Sequence, residues 1–209
     1  MSSQKIIFKI PQFPNISETF VIAQIKTAID LGYEVQIIAR KYISSNINLI
    51  DKYKLIDKII IEDYRIPKVK ILRLLKWIGL LILNFRNIHF IFRFYKEHKK
   101  FSLTWLYQWV FYKQFNKAAV FHIQYGTNSK PLPLLKKTKF FKPTLIVTFH
   151  GHDAFFPLYG YIENKGYYDT LFGCDATITA NTPYLSKKIE GLGCPKEKLE
   201  VVPVGVDTS

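Results

Sequence analysis

The segment Thr144-Leu-Ile-Val-Thr-Phe149 is a run of strand length without a charged residue, and it is typical of a β-strand buried on both faces of a parallel sheet. On either side of it, short apolar runs alternate with segments whose apolar residues recur at helical spacing. Strands are predicted over residues 5–10, 34–39, 57–61, 118–123, 175–180 and 199–203, and helices over 17–31, 131–140 and from 182 to Gly191 or Gly193. This alternation predicts an α/β fold with a Rossmann-like, doubly wound parallel sheet.

Capping residues mark the helix boundaries. Ser17 is expected to cap the first helix, with Glu18 in its first turn, and Gly32 is expected to end it. Thr182 is expected to cap the last helix, with Pro183 at its first position.

Length and composition narrow the class of protein. The chain has 209 residues, enough for one large domain or two small ones, and 48% of them are apolar, which argues against gross disorder. Two cysteines cannot form a disulfide framework and no secretory leader pattern follows Met1, so we expect a cytoplasmic protein. The net charge is +14, and residues 65–142 carry 17 basic side chains against one acidic side chain, Glu97. Self-repulsion within this segment favours an anionic partner.

The basic segment is predicted to be helical over about 67–117. Its cations recur every three residues on one face and aliphatic side chains lie opposite, as in helices that lie on an anionic membrane surface. The aromatic residues of 105–112 would then lie at the level of the lipid headgroups. The charge-free run Trp77–Phe85 is shorter than the about 20 residues that a spanning helix needs, so peripheral contact is expected. The residues expected to contact the membrane are Lys70, Arg73, Lys76, Trp77 and Arg86.

Two other interpretations of the basic segment stay open. One is a buried helix pair whose charges are solvated. The other is nucleic-acid binding through basic and aromatic side chains. The membrane surface is the partner expected here, and no nucleic-acid partner is.

Polar residues cluster where the predicted strands end. Ligands of parallel sheets bind at the carboxyl ends of the strands, so these loops are the candidate binding site. Hydroxyl, amide and imidazole groups there suit a sugar or an anion, and no Gly-x-Gly-x-x-Gly pattern supports a dinucleotide site. Plain helix caps or loops packed for structural reasons are the alternatives. The candidate residues are Asn15, Ser17, Glu18, Thr19, His122, Gln124, Tyr125, Gly126, His150, Gly151, His152, Asp153 and Asn181.

His150, His152 and Asp153 are of metal-ligand type, but no third histidine or cysteine lies near them in sequence, so no metal site is predicted. Cys174 and Cys194 are interpreted as small buried residues.

Five sequence pieces, in order, resemble the glycosyltransferases of family 4, and among them the branch that assembles exopolysaccharide and lipopolysaccharide, such as colanic-acid-type enzymes. Together they extend over nearly the whole chain. The pieces are Phe13–Gln24 with Leu31–Ala39, His122–Gly126, Thr148–Asp153, Cys174–Leu185 and Val201–Asp207.

The resemblance implies the GT-B architecture, in which two Rossmann-like domains face each other across a cleft. It implies retaining transfer of a hexose from a nucleotide-sugar donor to a glycan acceptor, here expected to be lipid-linked, in cell-surface polysaccharide synthesis. No metal and no other cofactor is expected. By the family pattern, His150 would lie beside the donor sugar and the reaction centre and act as the catalytic residue. The loop 12–19 would lie near the phosphates and the acceptor.

The chain also departs from the family pattern. Pro14-Asn-Ile-Ser17 stands where many relatives carry a Gly-Gly pair, and Val204 replaces the usual Asn before Gly-Val-Asp. The family's donor-binding Glu-x7-Glu belongs to a second, C-terminal domain, so residues 1–209 are expected to be the acceptor-binding domain, inactive without a separate donor-binding domain. The alternative is a non-catalytic module that binds a membrane surface or a partner.

Overall fold

A computed structural model describes residues 4–51, 53–98, 102–155 and 166–204. Within these residues, seven strands form one sheet in the order β3-β2-β1-β4-β5-β6-β7, and every neighbouring pair is parallel. The predicted α/β class with a doubly wound, Rossmann-like parallel sheet is confirmed. The strands are β1 Lys5–Phe13, β2 Glu34–Tyr42, β3 Ile59–Ile61, β4 Val120–Gln124, β5 Thr144–Phe149, β6 Thr177–Ala180 and β7 Leu199–Val201.

Helices cover both faces of this sheet. A core cluster that includes Phe8 and Ile25 packs on one face, and a larger cluster that includes Ile7 and Trp109 packs on the other. Ile7 and Phe8 are neighbours in β1 and point to opposite faces, as the pleat requires. The helices of the described residues are α1 Thr19–Asp30, α2 Asn48–Asp51, α3 Lys70–Leu83, α4 Ile88–His98, α5 Thr104–Lys113, α6 Leu132–Lys137, α7 His152–Phe155, α8 Asp169–Phe172 and α9 Pro183–Gly191.

The strand order reverses between β1 and β4. From β1 the chain adds β2 and then β3 on one side, and it returns to add β4 to β7 on the other side. A crevice opens at the carboxyl ends of the strands at such a reversal. The loops that follow β1 and β4 therefore meet at this crevice.

Strand β1 continues past the predicted end at Pro11 to Phe13. Its pairing with β4 ends at Lys9, whereas its pairing with β2 resumes at Gln12 and Phe13. Pro11 lies beyond the last residue that pairs with β4, so its missing N–H is tolerated on an edge that has no neighbour.

The predicted cap of the first helix is wrong, whereas that of the last helix is confirmed. The side chain of Asn15, not Ser17, caps a short 3-10 turn over Ile16–Glu18, and α1 begins at Thr19. Asn15 is as good a capping residue as Ser17 and comes earlier in the chain, which explains the difference. Thr182 accepts a hydrogen bond from the N–H of Leu185, with Pro183 at the first helical position of α9.

The predicted helical segment 67–117 divides into α3, α4 and α5. The aromatic residues Trp105, Tyr107, Trp109 and Tyr112 of α5 are buried in the core, so their expected place at lipid headgroups is wrong. Helix α5 is apolar on all sides, and such a helix is stable only when surrounded by protein. In the described part of the chain, no single helix has the length and apolarity to cross a bilayer. Lys70–Leu83 and Phe85–His98 meet that condition only as a pair, bent by 78°.

Candidate functional site

Three loops meet at the carboxyl edge of the sheet, after β1, β4 and β5. His150 follows β5, Tyr125 follows β4, and Phe20 belongs to the first turn of α1, which follows β1. The ring centroid of His150 lies 4.8 Å from that of Phe20 and 4.7 Å from that of Tyr125. The imidazole therefore lies at the strand ends, beside Tyr125, which was predicted for the candidate site, and beside Phe20, which was not.

The hydrogen bond of His150 defines its protonation. Its Nε2 lies 2.7 Å from the side-chain Oε1 of Gln124. An amide oxygen only accepts, so the Nε2 carries the proton and donates it. Burial lowers the pKa of His150 to about 4, so the ring is neutral at physiological pH. With the proton on Nε2, the ring Nδ1 carries a lone pair, and no hydrogen bond to it is found within the described residues.

This bonding changes the role expected for His150. A neutral ring whose single N–H is already used has no proton left to donate to a substrate. A ring with a pKa of about 4 is also a weak general base at neutral pH. The group that fits its Nδ1 is a hydrogen-bond donor, of which a sugar hydroxyl is the obvious example.

Asp153 joins two of the loops. Its Oδ2 accepts the backbone N–H of Gly126 at 2.7 Å, and its Oδ1 accepts the backbone N–H of His150 at 2.9 Å. The side chain is 1% exposed, and burial raises the pKa of this carboxyl, although the backbone N–H groups of Gly126 and His150 oppose that rise. Asp153 was predicted to contact substrate, but its oxygens are occupied by the backbone, so it positions the loops instead.

The turn after β4 is closely packed. Tyr125 has a φ of +72°, which is unfavourable for a residue with a Cβ. The backbone N–H of Tyr125 donates to the carbonyl of Thr148 at 2.9 Å, which holds the turn against β5. A Cβ on Gly126 would lie 2.3 Å from the Phe149 ring, so a residue without a side chain is required there.

Glu18 and Tyr125 join the first loop to the second. The Tyr125 hydroxyl donates to Glu18 Oε1 at 2.8 Å, and the Asn15 amide donates to the same oxygen at 3.3 Å. Burial raises the pKa of Glu18, opposed by these two hydrogen bonds, and burial raises the pKa of Tyr125. Glu18 Oε2 is buried without a hydrogen-bond partner among the described residues.

Polar side chains of α1, β4, β5 and β6 form a hydrogen-bonded group next to His150. The Nε2 of His122 is 2.7 Å from the Thr148 hydroxyl, which in turn lies 2.7 Å from the Thr179 hydroxyl. Gln124 donates to Gln24 Oε1 at 3.0 Å. Burial lowers the pKa of His122 to about 4, with the nearby His150 as a second cause. No pattern in the sequence pointed to Gln24, Thr148 or Thr179, because they lie inside a helix or strands rather than in loops.

The remaining candidates divide by exposure. Gln124 and Gly126 are buried, so they were wrongly expected to contact a substrate directly. Asn181 and Gly151 are partly exposed at the same edge, and Gly151 has a φ of +101°. Exposed positions beside the crevice are held by Ser17, Thr19 and His152.

No metal-binding group of three His, Cys, Asp or Glu side chains occurs among the residues that the structure covers. Cys174 and Cys194 are buried, as predicted, and burial raises the pKa of both thiols to about 11.

The residues predicted to contact a membrane do not share one face. Arg73 donates to the carbonyl of Pro67 at 3.0 Å, and Lys76 donates to that of Arg65 at 2.8 Å. Trp77 packs against the larger core cluster. Arg73 and Trp77 are partly buried against the protein, whereas Lys70, Lys76 and Arg86 are exposed cations as predicted.

The chain is similar in sequence to known glycosyltransferases. A family model described as Glycosyltransferase Family 4 matches residues 17–209. The chain is 27% identical, over 212 residues, to the amylovoran biosynthesis glycosyltransferase AmsK of Erwinia amylovora, and the match covers 97% of this chain and 51% of AmsK. The chain thus spans about half the length of the curated relative it matches.

Proposed function

Because the chain belongs to glycosyltransferase family 4, we propose that it forms the acceptor-binding wall of a site that transfers a sugar from a nucleotide-sugar donor to a glycan acceptor. The observation that carries this proposal is the neutral His150, held at the strand ends with its Nδ1 lone pair available. The transfer proposed is retaining, and it needs neither a metal nor another cofactor.

The proposed chemistry is positioning rather than proton transfer. His150 Nδ1 accepts a hydrogen bond from a sugar hydroxyl, and the rings of Phe20 and Tyr125 confine that sugar. Glu18, whose pKa is raised by burial, accepts the hydrogen bond of the Tyr125 hydroxyl and so orients that ring. Holding a hydroxyl beside an anomeric carbon lowers the barrier chiefly through orientation.

The setting proposed is the assembly of cell-surface polysaccharide. The name of AmsK places that relative in amylovoran biosynthesis, and the similarity supports exopolysaccharide synthesis for this chain too. The acceptor would be lipid-linked, and the protein would work at the cytoplasmic face of the membrane. The nucleotide sugar would be held by a donor-binding domain opposite the crevice.

The test is the binding of a short-chain prenyl-diphosphate hexose to the 15N-labelled chain, measured by NMR titration. His150→Ala should weaken binding about tenfold, which corresponds to the loss of about 1.4 kcal/mol from one hydrogen bond. Prenyl diphosphate without the sugar should bind both forms equally. His89→Ala, at an exposed histidine of α4, is the matched control.

Equal affinity of His150→Ala and the unmodified chain for the sugar-bearing lipid would contradict the proposal. A second measurement uses membranes of the native cell, in which transfer of labelled sugar from nucleotide sugars into lipid should fall in the His150→Ala strain. Undiminished transfer there would exclude His150 from the reaction.

A non-catalytic surface-binding module is the second candidate function, favoured by the exposed apolar side chains of α3. If the chain is such a module, it should bind vesicles, and substitutions at the crevice should leave sugar transfer unchanged.

A further inference from the structure

Exposed apolar side chains are concentrated in one part of the molecule. Of the 18 large apolar side chains that are exposed in the described residues, 11 lie between positions 69 and 92. These positions cover α3, the turn after it and the first half of α4. Contiguous exposed apolar surface of this kind marks an interaction site.

The α3 part of this surface is a helical stripe. Five aliphatic side chains at helical spacing face outward, and Ile71 and Ile82 are 72% and 67% exposed. The opposite side of α3 packs on the protein through Trp77, Leu80 and Leu81. The stripe consists of Ile71, Leu74, Leu75, Ile78 and Ile82.

Exposed cations lie at both ends of the stripe. Lys70 is the first residue of α3, and Arg86 lies in the turn between α3 and α4, with its guanidinium 5.8 Å from the centroid of the exposed Phe85 ring. Between Arg65 and Lys96 the sequence contains no acidic residue. An apolar face bounded by cations and aromatic rings matches the boundary between anionic headgroups and acyl chains.

We propose that the outward face of α3 and the adjoining Phe85, Ile88 and Phe92 insert into the acyl boundary of an anionic bilayer, with Lys70 and Arg86 on the headgroups. This deepens the proposed function, since it places the crevice at the surface where a lipid-linked acceptor lies. The anchor is apolar, in contrast to the basic face expected from the sequence. The charge complementarity favours lipid over a protein partner as the occupant of this face.

The experiment is vesicle sedimentation with the chain and phosphatidylcholine vesicles that contain about a quarter phosphatidylglycerol. The double variant Leu75→Ser/Ile78→Ser should lower the partition coefficient about tenfold or more, because it removes two inserted aliphatic groups. The double variant Lys70→Gln/Arg86→Gln should reduce only the salt-dependent part of binding. Leu31→Ser/Tyr184→Ser, which removes two exposed apolar side chains elsewhere, should bind like the unmodified chain.

Insertion depth is read from a fluorophore on Ile78→Cys, quenched by brominated acyl chains, with Leu31→Cys as the reference position. Quenching is expected at position 78 alone. Equal vesicle binding by Leu75→Ser/Ile78→Ser, or a label at position 78 that no acyl bromine quenches, would overturn the proposal. So would a stable dimer that forms through this face and is lost in the same variant. None of these outcomes depends on sugar binding by the crevice.

The side-chain amide of Gln124 supports a second inference, independent of the membrane surface. Gln124 is 0% exposed, and it lies between His150 and Gln24. Its Oε1 accepts from His150 at 2.7 Å, and its Nε2 donates to Gln24 Oε1 at 3.0 Å. The same Nε2 lies 3.4 Å from the His122 Nε2.

These contacts define which end of the amide faces His150. With Gln24 oriented as it is, turning the Gln124 amide over would direct its oxygen at the Gln24 oxygen, and two acceptors cannot share a proton that neither carries. Since the Gln124 oxygen faces His150, the imidazole keeps its proton on Nε2. Gln24 therefore acts on the imidazole through Gln124.

We infer that Gln24 and Gln124 are positioning residues that hold His150 in its Nε2–H tautomer, and so make this position specific for a hydrogen-bond donor. The identity of that donor as a sugar hydroxyl rests on the proposed function, whereas the tautomer does not.

Histidine tautomers are read from long-range 1H–15N correlation spectra, in which protonated and unprotonated ring nitrogens are well separated. In the unmodified chain, His150 should be protonated on Nε2. Gln24→Leu should yield a mixture of tautomers. Gln24→Glu should restore the Nε2–H form, because a carboxylate still accepts from the Gln124 amide. Gln114→Leu, at an exposed glutamine, is the matched control.

A His150 protonated on Nδ1 in the unmodified chain would overturn the inference, as would a Gln24→Leu spectrum identical to that of the unmodified chain. The dispersion of the backbone amide signals reports whether each variant is folded. Sugar binding that is unchanged in His150→Ala would contradict the proposed function but not the assignment of the tautomer.

Discussion

Individual residues of the crevice act largely through their neighbours. One buried carboxylate, Asp153, accepts the backbone N–H groups of Gly126 and His150 and so joins the turns after β4 and β5. The imidazole at the edge is placed by this backbone contact and oriented by Gln124. The positions of the groups that would contact a ligand thus depend on buried polar groups that make no such contact themselves.

Gly126→Ala tests how tightly the turn after β4 is packed. The added Cβ would overlap the Phe149 ring, so the free energy of unfolding should fall by about 1–3 kcal/mol. Urea unfolding measures it. Phe149→Leu in the same chain should recover part of the loss, because it makes room for the methyl group.

Gly79→Ala is the control for this variant. Gly79 lies inside α3 with no atom within 4 Å of an added Cβ, so alanine there should raise stability by about 0.5–1 kcal/mol through helix propensity. Equal effects of the two substitutions would contradict the close packing at Gly126.

The residues at the carboxyl edge of the sheet could be predicted from the sequence, but the side chains that hold them in place could not. His150, Tyr125 and Glu18 follow recognisable strands, and the carboxyl ends of parallel strands share one edge. Gln24 lies inside a helix, 100 residues from Gln124, and no local pattern connects the two. The tautomer of His150 likewise depends on a contact made only in three dimensions.

At the scale of elements, the sequence predicted the strands better than the helices of the basic segment. Strand β5 has its predicted bounds, since an apolar run of that length leaves little choice. Strand β1 extends beyond its predicted end because Pro11 lies where only β2 pairs with it. That pairing pattern is a property of the sheet and not of the segment.

Helices α3 and α5 show why composition alone was insufficient. Both lie in the basic segment and are rich in apolar residues, and both were assigned to a membrane face. Helix α5 is surrounded by protein and buries Trp105 and Trp109, whereas α3 has no buried residue and exposes its aliphatic stripe. Which face of α3 points outward follows from the packing of Trp77, Leu80 and Leu81 on the larger core cluster.

At the scale of the whole molecule, a buried ion pair connects distant elements. Lys9 of β1 lies 3.2 Å from Glu62, which follows β3, and both side chains are almost completely buried. Lys9 also donates to the carbonyls of Asn128 and Lys130 at 2.8 Å each. Glu62 accepts hydrogen bonds from the hydroxyls of Tyr64 and Tyr112, and from Arg40, and so joins the loop after β3 to α5 and β2.

Lys9→Met is expected to lower the free energy of unfolding by about 3–5 kcal/mol, because it leaves Glu62 buried without its main counterion. The double variant Lys9→Met/Glu62→Gln should lose less, since it removes both charges. Denaturant unfolding of the unmodified chain, Lys9→Met, Glu62→Gln and the double variant gives the coupling free energy between the two side chains. A double variant less stable than Lys9→Met would contradict this account.

The pH dependence of stability has a predictable sign. Burial by itself would raise the pKa of Glu62, but Lys9, the two tyrosine hydroxyls and Arg40 outweigh it and lower the pKa below its ordinary value of 4.5. The carboxylate therefore stabilises the fold above that value, and this contribution is lost as the pH falls through the lower, folded-state pKa. Glu62→Gln should flatten this acid limb in unfolding measurements.

The sequence by itself determined the parallel α/β class, the loops that form the crevice and the family, because strand periodicity and strand ends are local features. Only the tertiary structure decided that Asp153 and Gln124 position the site, that His150 donates its Nε2–H to Gln124, and that α3 exposes an apolar stripe. Each of these depends on contacts between residues far apart in the chain, and burial or a hydrogen bond between such residues has no signature in either segment alone.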